Sequence, residues 1–125
     1  MSKVLIVDDE PNILMSLEFL MRKEGYEVFI ARDGREALNI ISEETPTVVI
    51  LDIMMPNVDG YEVCEHIRAT ERLKDAKVIF LTAKSKEEDI QKGMEAGADL
   101  YMTKPFSTRT LMKKVKSLTV VNDKT

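Results

Sequence analysis

The sequence predicts an α/β domain built as a doubly wound, five-stranded parallel sheet with helices on both faces. Short apolar runs alternate with longer segments of helical period, the βαβα order of a parallel sheet covered on both sides. The third run, Val48-Val49-Ile50-Leu51, is apolar throughout, as a central strand buried on both faces must be. Polar residues stand where the runs stop: Asp8 and Asp9 after Val4-Leu5-Ile6-Val7, Asp52 after Leu51, Thr82 after Val78-Ile79-Phe80-Leu81, and Lys104 beyond the fifth run. In parallel strands all of these groups gather at one edge of one sheet.

Taken in order, residues 3–8 read as the first strand, and Pro11 at a first helical position opens helix 11–24. Its apolar stripe is Ile13, Leu14, Leu17, Leu20 and Met21, at helical spacing, and Gly25 ends it in the left-handed position. Strand 27–31 follows. Asp33 with Glu36 makes a capping box for the next helix, whose buried side is Ala37, Leu38 and Ile41. After strand 47–52 and the loop Met54-Met55-Pro56-Asn57, Asp59 and Glu62 form a second box and start helix 59–70. Strand 77–82 ends at Thr82. Ser85 and Glu88 read as a third box opening helix 85–96, closed by Gly97. Strand 98–102 is short, and Ser107 caps a last helix with the stripe Leu111, Val115 and Leu118. Five strands in this arrangement commonly take the order 2-1-3-4-5, the (βα)5 flavodoxin-like, three-layer α/β/α architecture, with its switch point between strands one and three. Ligands bind there, outside the carboxyl ends of the strands.

The 125 residues suffice for one domain with its own core, expected over 1–120, with a short polar tail at 121–125 that frays. The longest apolar run falls far short of the roughly 20 residues of a membrane span. A strand begins almost at the N-terminus, leaving no room for a signal peptide. One cysteine, Cys64, has no internal partner, which fits a cytoplasmic, reducing environment. A net charge of −4 gives no global support for binding nucleic acid or anionic membrane. Lys113, Lys114 and Lys116 read as a solvated helix face, and no helix-turn-helix segment is present.

Carboxylates a few ångströms apart repel, by about 1 kcal/mol per pair at 4 Å even in bulk water. Asp8, Asp9 and Asp52 therefore call for a compensating cation. An all-oxygen set suits magnesium, whereas zinc or copper prefers His or Cys, and His66 and Cys64 lie on a helix far along the chain. Lys104 supplies an ammonium able to pair with a carboxylate or a phosphate oxygen, and Thr82 a hydroxyl donor. Metal, lysine and hydroxyl around an aspartate provide the positioning and charge neutralisation that phosphoryl transfer needs. Asp52 can itself be the nucleophile, giving a labile acyl-phosphate.

Asp8-Asp9, Asp52 in Leu-Asp-Ile-Met-Met-Pro, Thr82-Ala83 and Lys104-Pro105-Phe106 together resemble the receiver domain of two-component response regulators, in order and spacing over residues 3–118. The resemblance implies that Asp52 accepts phosphate from a sensor histidine kinase or a histidine phosphotransfer protein. It implies magnesium on Asp9, Asp52 and the backbone carbonyl of Met54, with Asp8 acting mainly through water. It places Thr82 and Lys104 on the phosphoryl group, and Tyr101 as a switch aromatic swinging inward as Thr82 moves. The repacked surface would be helix 85–96, strand 98–102 and the last helix, presented to a downstream effector or to a second copy in a phosphorylation-induced homodimer. Met54 and Lys84, two residues after Asp52 and Thr82, occupy the positions that tune phosphate lifetime. A cis bond before Pro105 is also implied.

Plainer roles stand beside these. Asp9 or Glu10 can simply cap helix 11–24, Thr82 can be an ordinary strand residue, Lys104 a surface lysine, and Tyr101 half-buried packing; their joint placement favours the site. His66 reads as solvated, Cys64 as a packing residue, and Met15, Met21, Met94, Met102 and Met112 as core or helix packing. The rival function is a magnesium-dependent phosphatase that turns over small molecules through an aspartyl-phosphate. Haloacid-dehalogenase phosphatases keep a second Asp two residues after the nucleophile, where this chain has Met54, and no cap domain is inserted. No glycine loop of the P-loop kind is present. With no effector domain after residue 118, the sequence fits a stand-alone receiver and a piece of a longer regulator equally.

Overall fold

Each apolar run becomes a strand because its side chains have cores to enter on both sides of the sheet. The computed structural model describes residues 2–123, with side chains to Thr119. The elements are β1 (Lys3–Val7), α1 (Pro11–Lys23), β2 (Glu27–Ala31), α2 (Gly34–Glu43), β3 (Val48–Leu51), α3 (Gly60–Ala69), β4 (Lys77–Thr82), α4 (Glu87–Glu95), β5 (Leu100–Thr103) and α5 (Thr108–Asp123), with a 3-10 turn at Glu71–Leu73. All strand pairs are parallel and the order is β2-β1-β3-β4-β5, as expected. The register aligns Val7 with Leu51, Leu51 with Phe80 and Phe80 with Tyr101, so the strands end close to one level.

Alternation divides the central strands between two cores. Leu5, Val7, Val49, Leu51, Val78 and Phe80 face α2 and α3, meeting Ala37, Ile41, Val63, Cys64 and Ile67. Val4, Ile6, Val48, Ile50, Ile79 and Leu81 face the opposite side, meeting Leu14, Leu17 and Met21 of α1 and Leu111 and Val115 of α5. Gly25 and Gly97 adopt φ of 94° and 110°, the left-handed turns expected after α1 and α4.

Several local expectations change. Asp33 caps α2 through the amide of Glu36, but the Glu36 carboxylate takes the amide of Arg32 and not that of Asp33. Asp59 caps α3 through the amide of Glu62. The helix expected from Ser85 starts at Glu87, with Lys86 at its cap position and no side-chain cap. The reason is competition: the Lys84 amide bonds back to the Thr82 hydroxyl and the Lys84 carbonyl takes the Tyr101 hydroxyl, which holds this stretch outside the helix. Strand five starts at Leu100, because the Asp99 side chain is drawn off by Arg68 and by the amide of Val78. The last helix is capped by Ser107 through the amide of Thr110 and runs on to Asp123, into the segment expected as tail; residues 124 and 125 lie outside the described residues. Met21 is buried, but Met15 and Met94 are exposed, because each points away from the buried stripe of its helix. Phe19 joins Met15 on the open side of α1.

Candidate functional site

The carboxyl end of β1 delivers Asp8 and that of β3 delivers Asp52, each one residue past the aligned pair Val7 and Leu51. The Asp52 amide extends this pairing by bonding to the Val7 carbonyl at 2.9 Å. Both acids are buried, 2% and 4% exposed, which is rare for carboxylates without partners. Their shared partner is Lys104, whose Nζ lies 2.9 Å from Asp8 Oδ2, 2.7 Å from Glu10 Oε1 and 3.6 Å from Asp52 Oδ2. Thr82, fully buried at the end of β4, passes the chain on through its carbonyl, which accepts from the Lys104 amide at 2.8 Å. The Lys104–Pro105 bond is cis.

Oxygens of Asp8, Glu10 and Asp52 lie within 4.8 Å of one another. Glu10 enters because the Asp8 carboxylate accepts from the Glu10 amide at 2.9 Å, which turns the chain back toward Lys104. Asp9, the second acid of the expected set, is exposed and stands outside this trio. The sequence hint to Glu10 was its place in the acidic run Asp8-Asp9-Glu10. Burial raises the Asp8 carboxyl above the ordinary value; bonds to the Glu10 amide and Lys104 pull it down, and the Asp52 charge pushes it up. For Lys104, burial works against the charged form, yet its bonds to Glu10 and Asp8 and the nearby Asp52 hold it raised and fully charged.

A loop overhangs Asp52. Its residue Met54 is exposed, and the Met54 amide lies 3.4 Å from Asp52 Oδ1. The neck of the loop is tight: the Gly60 amide bonds to the Ile53 carbonyl at 3.0 Å, and a Cβ on Gly60 would sit 2.3 Å from the Asp52 carbonyl oxygen. No side chain fits at position 60.

Beside the site, Tyr101 donates to the Lys84 carbonyl at 2.7 Å, and burial pushes its hydroxyl up to about 12, so it stays a donor at neutral pH. Its ring packs against Phe80 at 5.9 Å between centroids, and Phe80 meets Tyr61 edge-on at 5.7 Å. The Tyr61 hydroxyl donates to the Asp89 carbonyl at 3.3 Å, with the Lys92 ammonium 4.4 Å over its ring. Tyr61 was not singled out from the sequence, where an aromatic at helical spacing reads as core. Lys84 pairs loosely with Asp89 at 3.8 Å. His66 is exposed, and Cys64 is buried with its thiol pushed up to about 11 by burial, so neither serves the site.

A family model of the response regulator receiver domain matches residues 4–116. The chain belongs to this family. Solved structures agree. The BeF3-activated DrrB receiver domain is 40% identical over 94% of this chain and 97% of its own, with a TM-score of 0.87. The chemotaxis protein CheY4 of Vibrio cholerae is 35% identical over 94% and 98%, with a TM-score of 0.88. A CheY-like receiver domain protein from Methanospirillum hungatei is 32% identical over 100% and 99%, with a TM-score of 0.91. Receiver domains serve two-component signalling, so this one is a phosphorylation-regulated signalling domain and not a conventional enzyme. They bind magnesium at an acidic cluster, and Asp8, Glu10 and Asp52 form one here. Among the described residues, no helix is long and apolar enough to cross a membrane.

Proposed function

We propose that Asp52 stores a phosphoryl group received from the phosphohistidine of a sensor histidine kinase or histidine phosphotransfer protein in the cytoplasm. A carboxylate oxygen of Asp52 bonds to phosphorus while the phosphorus–nitrogen bond breaks and the imidazole leaves with the electron pair. The single observation carrying this reading is the Lys104 ammonium held among Asp8, Glu10 and Asp52 at the carboxyl edge of the sheet. One ammonium does not balance three carboxylates, and the donors are all oxygen, so the residues fit a hard divalent cation. Asp8, Asp9, Asp52 and the Met54 carbonyl would hold magnesium, with Glu10 beside them. Bound there, the ion neutralises charge on the phosphoryl oxygens. Lys104 adds a second positive charge, and the Thr82 hydroxyl, which accepts from the Lys84 amide, has its own proton to donate.

The added charge, roughly −1.5 to −2 at neutral pH, draws Thr82 and Lys104 toward Asp52. Thr82 is linked through Lys84 to the Tyr101 hydroxyl, so the pull reaches the face built by α4, β5 and α5. That face meets a downstream effector, or a second copy in a homodimer formed on phosphorylation. Met54 over the acid and Lys84 at the loop tune how long the phosphate lasts.

Acetyl phosphate with magnesium is expected to label the protein at Asp52, read as a mass gain and a mapped peptide. Asp52→Asn should abolish the label. A label of equal yield in that variant rejects the assignment.

A further inference from the structure

Glycine is the poorest helix former after proline, so Gly93 in the body of the nine-residue α4 needs a reason. It is the buried residue of that helix, and it lies against the switch aromatic. A Cβ on Gly93 would stand 3.0 Å from both Cδ2 and Cε2 of Tyr101 and 3.1 Å from Cδ2 of Phe80. At that range a neighbour must give way by a few tenths of an ångström. Phe80 cannot: it is fully buried on β4 and held edge-on by Tyr61. Tyr101 can, because it is half-buried on the edge strand β5 and has solvent to turn into.

We propose that Gly93 is the positioning residue for Tyr101: the absent side chain is the seat of the ring, and residue 93 sets how far inward the aromatic rests before any phosphoryl group arrives. The functional part of this rests on the switch role proposed for Tyr101; the steric part does not. A methyl group at position 93 shifts the Tyr101 population outward and weakens its bond to the Lys84 carbonyl. Through the Lys84 amide, the change reaches the Thr82 hydroxyl. Stability and switch position are then separable, because alanine favours the helix while disfavouring the inward ring.

The test compares wild type, Gly93→Ala, Tyr101→Ala and the double variant by nuclear Overhauser contacts, by thermal midpoint, and by Asp52 labelling with acetyl phosphate and magnesium. In Gly93→Ala the Tyr101–Phe80 ring cross-peaks should weaken at least twofold, and the Lys84 amide shift should move toward its position in Tyr101→Ala. The midpoint gain from Gly93→Ala should be larger in the Tyr101→Ala background, where no ring has to move. Unchanged Tyr101–Phe80 cross-peaks overturn the proposal. So does a midpoint that falls equally in both backgrounds, since the methyl then collides with Phe80 or backbone. Wild type that takes no label at Asp52 sinks the phosphoacceptor reading, while the cross-peaks still decide the role of Gly93.

Discussion

At the scale of residues, Lys104 is the group on which the site balances. It is the one ammonium within reach of Asp8, Glu10 and Asp52 among the described residues, and it is itself largely buried. Its raised pKa means that the stability from this pairing is fully present below 10.5, the ordinary lysine value, and is lost only as pH rises through the folded-state value. Removing one partner of a buried ionic cluster costs about 3 kcal/mol, because the other charges stay behind. Lys104→Met is therefore expected to lose about that much in chelator and to regain more on adding magnesium than wild type does. Thermal unfolding of both proteins with EDTA and with magnesium checks this; an equal magnesium gain in the two would contradict it. Asp8, Asp52, Thr82 and Lys104 were legible from sequence because each directly ends or follows an apolar run. Glu10 was not, because its approach depends on the turn that the Asp8 carboxylate imposes on the Glu10 amide. Asp9, next to Asp8 in the chain, is exposed and stands outside that trio.

At the scale of elements, α4 is the least anchored of the helices. α2 and α3 each have an aspartate cap and several buried residues, whereas α4 has no side-chain cap and buries only Gly93. Its first turn holds Glu87, Glu88 and Asp89, which suits the helix dipole but adds no packing. Local opening follows such differences, so amides of α4 are expected to exchange with solvent faster than those of α1, α2 and α3. Hydrogen exchange followed by NMR tests this, and α4 protection equal to that of α3 would refute it. The same comparison explains one misread boundary. Ser85 and Glu88 have the spacing of a capping box, but Thr82 and Tyr101 take the Lys84 backbone first, and spacing alone cannot show that competition. By contrast, the Asp33 and Asp59 caps were legible, because their requirements are purely local.

At the scale of the whole molecule, the sheet is a wall shared by two cores. Val49 and Val48, or Leu51 and Ile50, are chain neighbours that enter opposite cores, so neither core can melt without releasing the strands of the other. Leu17→Ala on the α1 side and Ile67→Ala on the α3 side should each cost about 3 kcal/mol and shift one common urea transition. Circular dichroism and tyrosine fluorescence followed together test this; separate midpoints for the two signals would refute it. This level was the most legible from sequence. Continuous apolar runs set between helical segments admit few arrangements, and the observed strand order is the one they favour.

The neck beneath the overhanging loop has a practical corollary. The Gly60 amide pinned to the Ile53 carbonyl, with no room for a Cβ against the Asp52 carbonyl, closes the loop directly behind the acid. Within that loop Met54 is exposed while Met55 and Val58 pack against the core, so an outward side chain stands on an anchored base. A designer wishing to vary the surface over Asp52 therefore has the Met54 side chain to work with, while position 60 must stay glycine.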